Sequence, residues 1–166
     1  MRFEVMSRRE AIKYTKREHK ESSIIISISD SYDFFPNFDN RHDNGVKSIL
    51  NLSFDDVQEL TGESKRYLKK DEGIIFDNLT GVSYSLISKD DATKIVNFVL
   101  AWKDKVDKII VHCNAGISRS SGVCAAIMKA LTGSDMEIFN NPRYYPNTTC
   151  YKKVLEEFVK RGFYCD

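Results

Sequence analysis

Two stretches, SIIISIS at residues 23–29 and KIIVH at 108–112, are β-branched and apolar almost without interruption. A strand with one face in water alternates apolar and polar residues, whereas a strand covered on both faces does not. Both runs therefore predict buried strands with helices on either side, which makes the chain a layered α/β domain. At 166 residues it is long enough to bury a core without disulfides or metals, and one domain over 1–166 is the simplest organisation.

The other segments supply the layers. RFEVM at 2–6 reads as a short strand, and Ser7 with Glu10 forms a capping-box pair that opens a helix to about residue 18. Asp, Asn, Pro and Gly gather in residues 30–45, a loop before the strand VKSILNLSF at 46–54, which ends at Asp55 and Asp56. Residues 57–87 are polar at first and then fit a hairpin or an irregular flap. Ser88 with Asp91 starts a second helix, whose Ala92, Ile95, Val96, Val99 and Trp102 recur at helical spacing to about Lys105. After the strand at 108–112, a helix rich in small residues runs from Ser120 to Leu131 and stops near Gly133. A last helix, about 148–161, is expected to bury Tyr151, Val154, Leu155, Phe158 and Val159 and to end at Gly162.

Lysine and arginine number 25 against 24 acidic residues, so no overall positive field points to nucleic acid or an anionic membrane as a partner. Any anion site must be local. The apolar runs fall far short of the roughly 20 residues that a membrane helix needs. The opening MRFEVMSRRE has no apolar signal core, so the expected location is the cytoplasm. The four cysteines, Cys113, Cys124, Cys150 and Cys165, fit neither a disulfide framework nor paired zinc spacing, and reduced thiols are expected. His19, His42 and His112 are far apart in the chain, and no metal or other cofactor is expected. KREHKE at 16–21 reads as a solvated helix end, Cys124 as core, and Cys150 and Cys165 as incidental. No oligomeric state follows from these patterns.

One segment carries chemistry. HCNAGISRSSG at 112–122 joins a buried strand to a helix through a loop of little bulk. Consecutive backbone N–H groups in such a loop can turn inward as a nest, with the positive end of the helix dipole behind them. Gly116 can take positive φ there, and Ala115 leaves room for tetrahedral oxygens to reach the backbone. A helix N-terminus and a nearby cation favour a thiolate, which would make Cys113 a ready nucleophile. Arg119 offers a planar fork able to hold two oxygens of a phosphoryl group. The loop residues Asn114, Ala115, Gly116, Ile117 and Ser118, with Arg119, form the candidate binding site.

HCNAGISRS resembles the HCxxGxxRS signature of the cysteine-dependent protein tyrosine and dual-specificity phosphatases, and the likeness of the compact type extends over about residues 23–131. The final helix fits small bacterial or phage-like members less distinctively. The resemblance implies an α/β fold with one central, mostly parallel sheet flanked by helices and a phosphatase-type Cys-x5-Arg loop between strand and helix. It further implies hydrolysis of a phosphomonoester on a phosphorylated protein or peptide, phosphotyrosine or also phosphoserine and phosphothreonine, through a phosphocysteine intermediate on Cys113. In that scheme the loop backbone and Arg119 hold the oxygens. Ser120 matches the hydroxyl that helps the sulfur leave, and is equally an N-cap candidate. His112 matches the residue that orders the loop, and a satisfied core histidine is the plainer reading.

Such a reaction needs an acid for the leaving group, and three aspartates compete. Asp56 follows the strand at 46–54 and should sit at the carboxyl edge of the sheet, where the loop after the 108–112 strand also opens. Asp77 lies at a separation from Cys113 nearer the family's usual one, and Asp55 can exchange with Asp56. The strand-end argument puts Asp56 first. The loop lacks lysine or a second arginine, which disfavours an inositol phosphate, while Tyr32, Phe34, Phe35, Phe38, Tyr67, Phe76 and Tyr84 are candidates for lining an aromatic cleft. Two other readings remain: a phosphate-binding module without turnover, and a rhodanese-like sulfurtransferase.

Overall fold

In the computed structural model, residues 1–41, 43–58, 67–71 and 73–163 are described, the stretch 67–71 by its backbone alone. His42, the polar segment 59–66 and Cys165 lie outside the described residues.

Four parallel strands form the central sheet: β1 (Arg2–Ser7), β2 (Ser23–Ser29), β3 (Val46–Ser53) and β7 (Lys108–Cys113). Their spatial order is β1-β7-β2-β3, so the two apolar runs are the two inner strands. Every residue of β2 is buried. Its side chains divide between two cores as the pleat requires: Ile24, Ile26 and Ile28 enter one and Ile25 the other. The first core is covered by α2 (Lys89–Trp102), α3 (Arg119–Thr132) and α5 (Thr148–Lys160), which contribute Ile95, Ala126, Val154 and Phe158 among others. The second is covered by α1 (Arg8–Thr15) through Ala11, packed with Met6, Ile25 and Ile110. No helix among the described residues is long and apolar enough to cross a membrane.

Both capping boxes form. Ser7 Oγ accepts from Glu10 N while Glu10 Oε2 accepts from Ser7 N, and Ser88 with Asp91 does the same for α2. The first helix stops at Thr15 rather than near residue 18. Asn44 donates its side-chain amide to Thr15 O at 3.0 Å, and His19 folds back to stack on Tyr14 with ring centroids 3.7 Å apart, so the chain leaves the helical path. In α5 the buried face is Cys150, Val154, Glu157 and Phe158, and Val159 is 45% exposed instead of buried. The helix is rotated so that the 150, 154, 158 row packs with α2 and α3 in the first core, and Glu157 is held by Arg161 at 3.3 Å.

The poorly legible stretch 57–87 contains a second sheet, antiparallel, of β4 (Tyr67–Asp71), β5 (Ile74–Asp77) and β6 (Val82–Ser85). Its last strand is tied to the end of β3: Asp55 N donates to Ser85 O, and Ser85 N donates to Asp55 Oδ2, both at 2.7 Å. A short helix, α4 (Met136–Phe139), follows α3 without a clear sequence signal.

Candidate active site

Because the central strands are parallel, their carboxyl ends meet at one edge of the sheet, and the loops that leave them crowd together there. Strand β7 ends at Cys113 and α3 begins at Arg119, so the whole candidate segment lies between a buried strand and a helix N-terminus.

The loop is held from outside by its carbonyls. Asn114 O accepts from Arg8 N, Ile117 O from Tyr145 N, and Ser118 O from both Asn147 N and Gly122 N, each at 3.0 Å. All peptide bonds among the described residues are trans. In a trans peptide the N–H of the next residue points opposite to the carbonyl, so the N–H groups of Ala115, Ser118 and Arg119 point away from these partners. That is how a nest is built. Gly116 sits at φ +71°, and a Cβ there would come within 2.6 Å of Met6 C and Ser7 N. Only glycine lets the β1–α1 junction press this closely on the loop.

Inside the loop, Cys113 Sγ lies 3.0 Å from Ser120 Oγ, with both residues buried. Arg119 is 4% exposed. Its Nη1 donates to Phe54 O at 2.7 Å and forms an ion pair with Asp30 Oδ1 at 2.7 Å, so both known partners lie on that nitrogen. Nε is buried without a hydrogen-bond partner among the described residues. The edge left for a two-point contact is therefore the Nε–Nη2 edge, the geometry that suits two oxygens of one phosphoryl group.

His112 is fully buried behind the loop. Its Nδ1 lies 3.1 Å from Cys113 O, which can only accept, so Nδ1 carries the hydrogen and Nε2 accepts from Ser27 Oγ at 2.7 Å. Burial, with the Arg8 and Arg119 cations adding to it, pushes its pKa down to about 4. A neutral imidazole that orders the loop backbone is what this environment supports, not an acid or base. Phe38 packs edge-on against His112 and is buried, so it belongs to the core and not to a cleft.

The three aspartates separate cleanly. Asp56 Oδ1 accepts from Ser118 Oγ at 2.7 Å and from Asn147 Nδ2 at 3.0 Å, which puts its carboxyl on the rim of the loop. Asp55 is buried and accepts from Ser31 N, Ser31 Oγ and Ser85 N. Asp77 is buried in the β5–β6 turn, where its Oδ1 accepts from Leu79 N and its backbone O from Gly81 N. Asp55 and Asp77 thus hold structure together, and the structure brings Asp56 to the candidate segment.

Three further residues converge here that the sequence motif does not contain. Asp30 is the counter-charge of Arg119. Asn147 links Asp56, the loop and α5. Arg8 reaches from α1 across to Ser29 Oγ at 3.4 Å, Asp33 Oδ2 at 3.3 Å and Phe34 O at 2.6 Å, so a second cation does stand beside the loop, supplied by a distant part of the chain. Beyond Arg8 the 30–35 loop leaves Tyr32 and Phe34 more than four-fifths exposed. Tyr32 feels Asp30 strongly enough to have its phenol pKa raised, with Asp55 adding and Arg119 opposing.

Of the other described cysteines, Cys124 is pushed up to about 12 by burial, with Glu137 adding, and burial also raises Cys150. Both are held as neutral core thiols.

No protein-family model matches the chain, and no curated protein sequence does either. Solved structures do match. A human tyrosine phosphatase-like serine/threonine/tyrosine-interacting protein superposes with a TM-score of 0.57 at 16% identity, over 95% of this chain and 91% of that one. The active form of Tk-PTP superposes with a TM-score of 0.51 at 17% identity, over 96% and 90%. The chain has the tyrosine-phosphatase fold.

Proposed function

We propose that residues 1–166 act as one phosphatase-like domain that hydrolyses phosphomonoesters on phosphorylated protein or peptide, through a phosphocysteine intermediate. The observation that carries this reading is the buried guanidinium of Arg119, its Nε unpartnered, in the same loop as the Cys113–Ser120 contact. A buried polar group lacking a partner is unfavourable unless a ligand satisfies it, and the inward amides around it suit a tetrahedral dianion.

Cys113 attacks phosphorus as the thiolate, forming the S–P bond while the ester P–O bond breaks. Asp56 gives a proton to the departing oxygen. The loop amides and Arg119 hold the equatorial oxygens throughout, where charge develops. In the second step water attacks phosphorus, Asp56 takes the water proton, and the P–S bond breaks. Ser120 Oγ, 3.0 Å from the sulfur, donates a hydrogen bond to the thiolate as it leaves. The position of Asp56 on the loop rim favours turnover over a module that only binds phosphate.

Phosphotyrosine is the substrate best supported, because Tyr32 and Phe34 stand exposed on the loop that also carries Asp30, the partner of Arg119. Aromatic side chains in that position suit the face of a phenyl ester. Cys113, Cys124 and Cys150 are all free and buried, which favours a reducing compartment, the cytoplasm.

The test is turnover of phenyl phosphate and of a phosphotyrosine peptide, with mass-spectrometric trapping of the intermediate after rapid acid quench. Cys113→Ser is expected to abolish turnover and trapping. Asp56→Asn should lose about 10² to 10⁴ in kcat on phenyl phosphate, and far less on 4-nitrophenyl phosphate, whose leaving group needs little protonation. Full turnover by Cys113→Ser would falsify the mechanism.

A further inference from the structure

Asn147 is wholly buried, and every polar atom it has is committed. Its Oδ1 accepts from Cys150 N at 3.0 Å, which N-caps α5. Only a carbonyl oxygen can accept that bond, so the other end of the amide is the NH2 group. That group donates to Asp56 Oδ1 and to Val57 O, both at 3.0 Å. The backbone N of Asn147 donates to Ser118 O at 3.0 Å, and its own carbonyl accepts from Tyr151 N. On its far side α3 comes so close that a Cβ on Gly122 would lie 2.4 Å from Asn147 O.

Two donors therefore meet on one carboxyl oxygen of Asp56: Asn147 Nδ2 at 3.0 Å and Ser118 Oγ at 2.7 Å. An oxygen accepting both bonds is the poor site for the proton of the acid form, because an O–H there would face two other hydrogens. The proton is left to Oδ2. We infer that Asn147 is a positioning residue that, with Ser118, docks Asp56 on the phosphate loop before substrate arrives and assigns the transferable proton to Oδ2. The inference rests on the reading of Asp56 as the acid and adds how that acid is aimed.

The same contacts serve both halves of the reaction. While Oδ2 gives its proton to the leaving oxygen, the charge that develops on the carboxylate is met at Oδ1 by two donors already in place. In the return step Oδ2 takes the proton from water with the carboxylate still held. The bond to Val57 O restrains the backbone just after the acid, so Asp56 cannot swing away without disturbing the start of α5.

A residue that merely capped α5 would need only its side-chain oxygen, and serine supplies that. The experiment uses the full chain and measures kcat on phenyl phosphate and on 4-nitrophenyl phosphate, together with thermal melting. Asn147→Ser is expected to lose about 10-fold or more on phenyl phosphate and less than about 3-fold on 4-nitrophenyl phosphate, a part of what a positioned acid contributes. In an Asp56→Asn background the same change should cost nothing further on phenyl phosphate, since residues acting as a unit are not additive. Ser118→Ala removes the other donor without touching α5 and should show the same leaving-group pattern, which keeps the test decisive if Asn147→Ser fails to fold.

Equal losses on both substrates, or losses that persist beside Asp56→Asn, overturn the inference while leaving hydrolysis by Cys113 intact. Wild-type turnover that is absent, or that survives Cys113→Ser, overturns the proposed function and this inference with it.

Discussion

His112 should make the folded chain lose stability in mild acid, and by a calculable amount. In the unfolded chain its imidazole titrates at the ordinary 6.5, whereas in the fold, buried between Ser27 and the Cys113 carbonyl with Arg8 and Arg119 nearby, it resists a proton down to about 4. Between those values the unfolded state binds more protons, so stability rises with pH across that window. Its contribution is complete above pH 6.5 and is withdrawn as pH falls towards 4. A tenfold difference in proton affinity between the two states is worth about 1.4 kcal/mol, so about 1.4 kcal/mol is lost by pH 5.5 and about 2.5 kcal/mol by pH 4.5. Carboxylates also titrate towards the lower end, and a difference measurement removes them. His112→Gln cannot titrate and can still offer Ser27 an oxygen. Urea unfolding of both proteins at constant ionic strength should show the wild type's advantage shrinking from pH 7.5 to 4.5 along that curve. Parallel profiles would mean that the folded imidazole protonates as readily as the unfolded one, and the account of a neutral, buried loop anchor would be wrong.

Gly122→Ala should destabilise by about 2 kcal/mol or more, although alanine in a helix interior ordinarily gains about 1 kcal/mol over glycine, because its Cβ would meet Asn147 O at 2.4 Å; a raised melting temperature would refute the close packing of α3 on that residue. Asp30→Ala should leave the buried Arg119 without its counter-charge, lower the melting temperature, and make the protein more responsive to vanadate. A vanadate-induced melting shift no larger than the wild type's would show that Asp30 does not balance that guanidinium.

The elements whose physics is local were legible in the sequence. Two nearly continuous apolar runs became the inner strands, both capping boxes closed, and Gly133 ended α3 in the left-handed conformation that favours glycine. The placing of Cys113, Arg119 and Ser120 between a strand and a helix was legible too, because it depends on spacing within one segment. What could not be read depends on distance along the chain. Asp30 and Asn147 lie 89 and 28 positions from Arg119 in sequence, and each sits at an element's end where turns and caps also favour Asp or Asn. Nothing in their neighbours separates a cap from a site residue. Arg8 is similar: it looks like the first residue of an amphipathic helix, and only the parallel sheet brings it beside the loop. In α5 both Phe158 and Val159 were expected in the buried stripe, and packing with α2 and α3 buries Phe158 and leaves Val159 exposed.

The end of β3 shows why Asp55 could exchange with Asp56 on sequence alone. Phe54, Asp55 and Asp56 follow one another off the sheet edge, and each turns to a different neighbour. The carbonyl of Phe54 holds Arg119, the carboxyl of Asp55 ties Ser31 to the small sheet through Ser85, and the carboxyl of Asp56 meets Ser118 and Asn147. The carboxyls of Asp55 and Asp56 thus turn to separate sets of partners. Pointing them apart lets Asp55 fasten the second sheet to the edge while Asp56 lies on the loop that α3 begins. The small antiparallel sheet is therefore no bystander: by anchoring to Asp55 it restrains the neighbour of the residue that bonds Ser118 and Asn147.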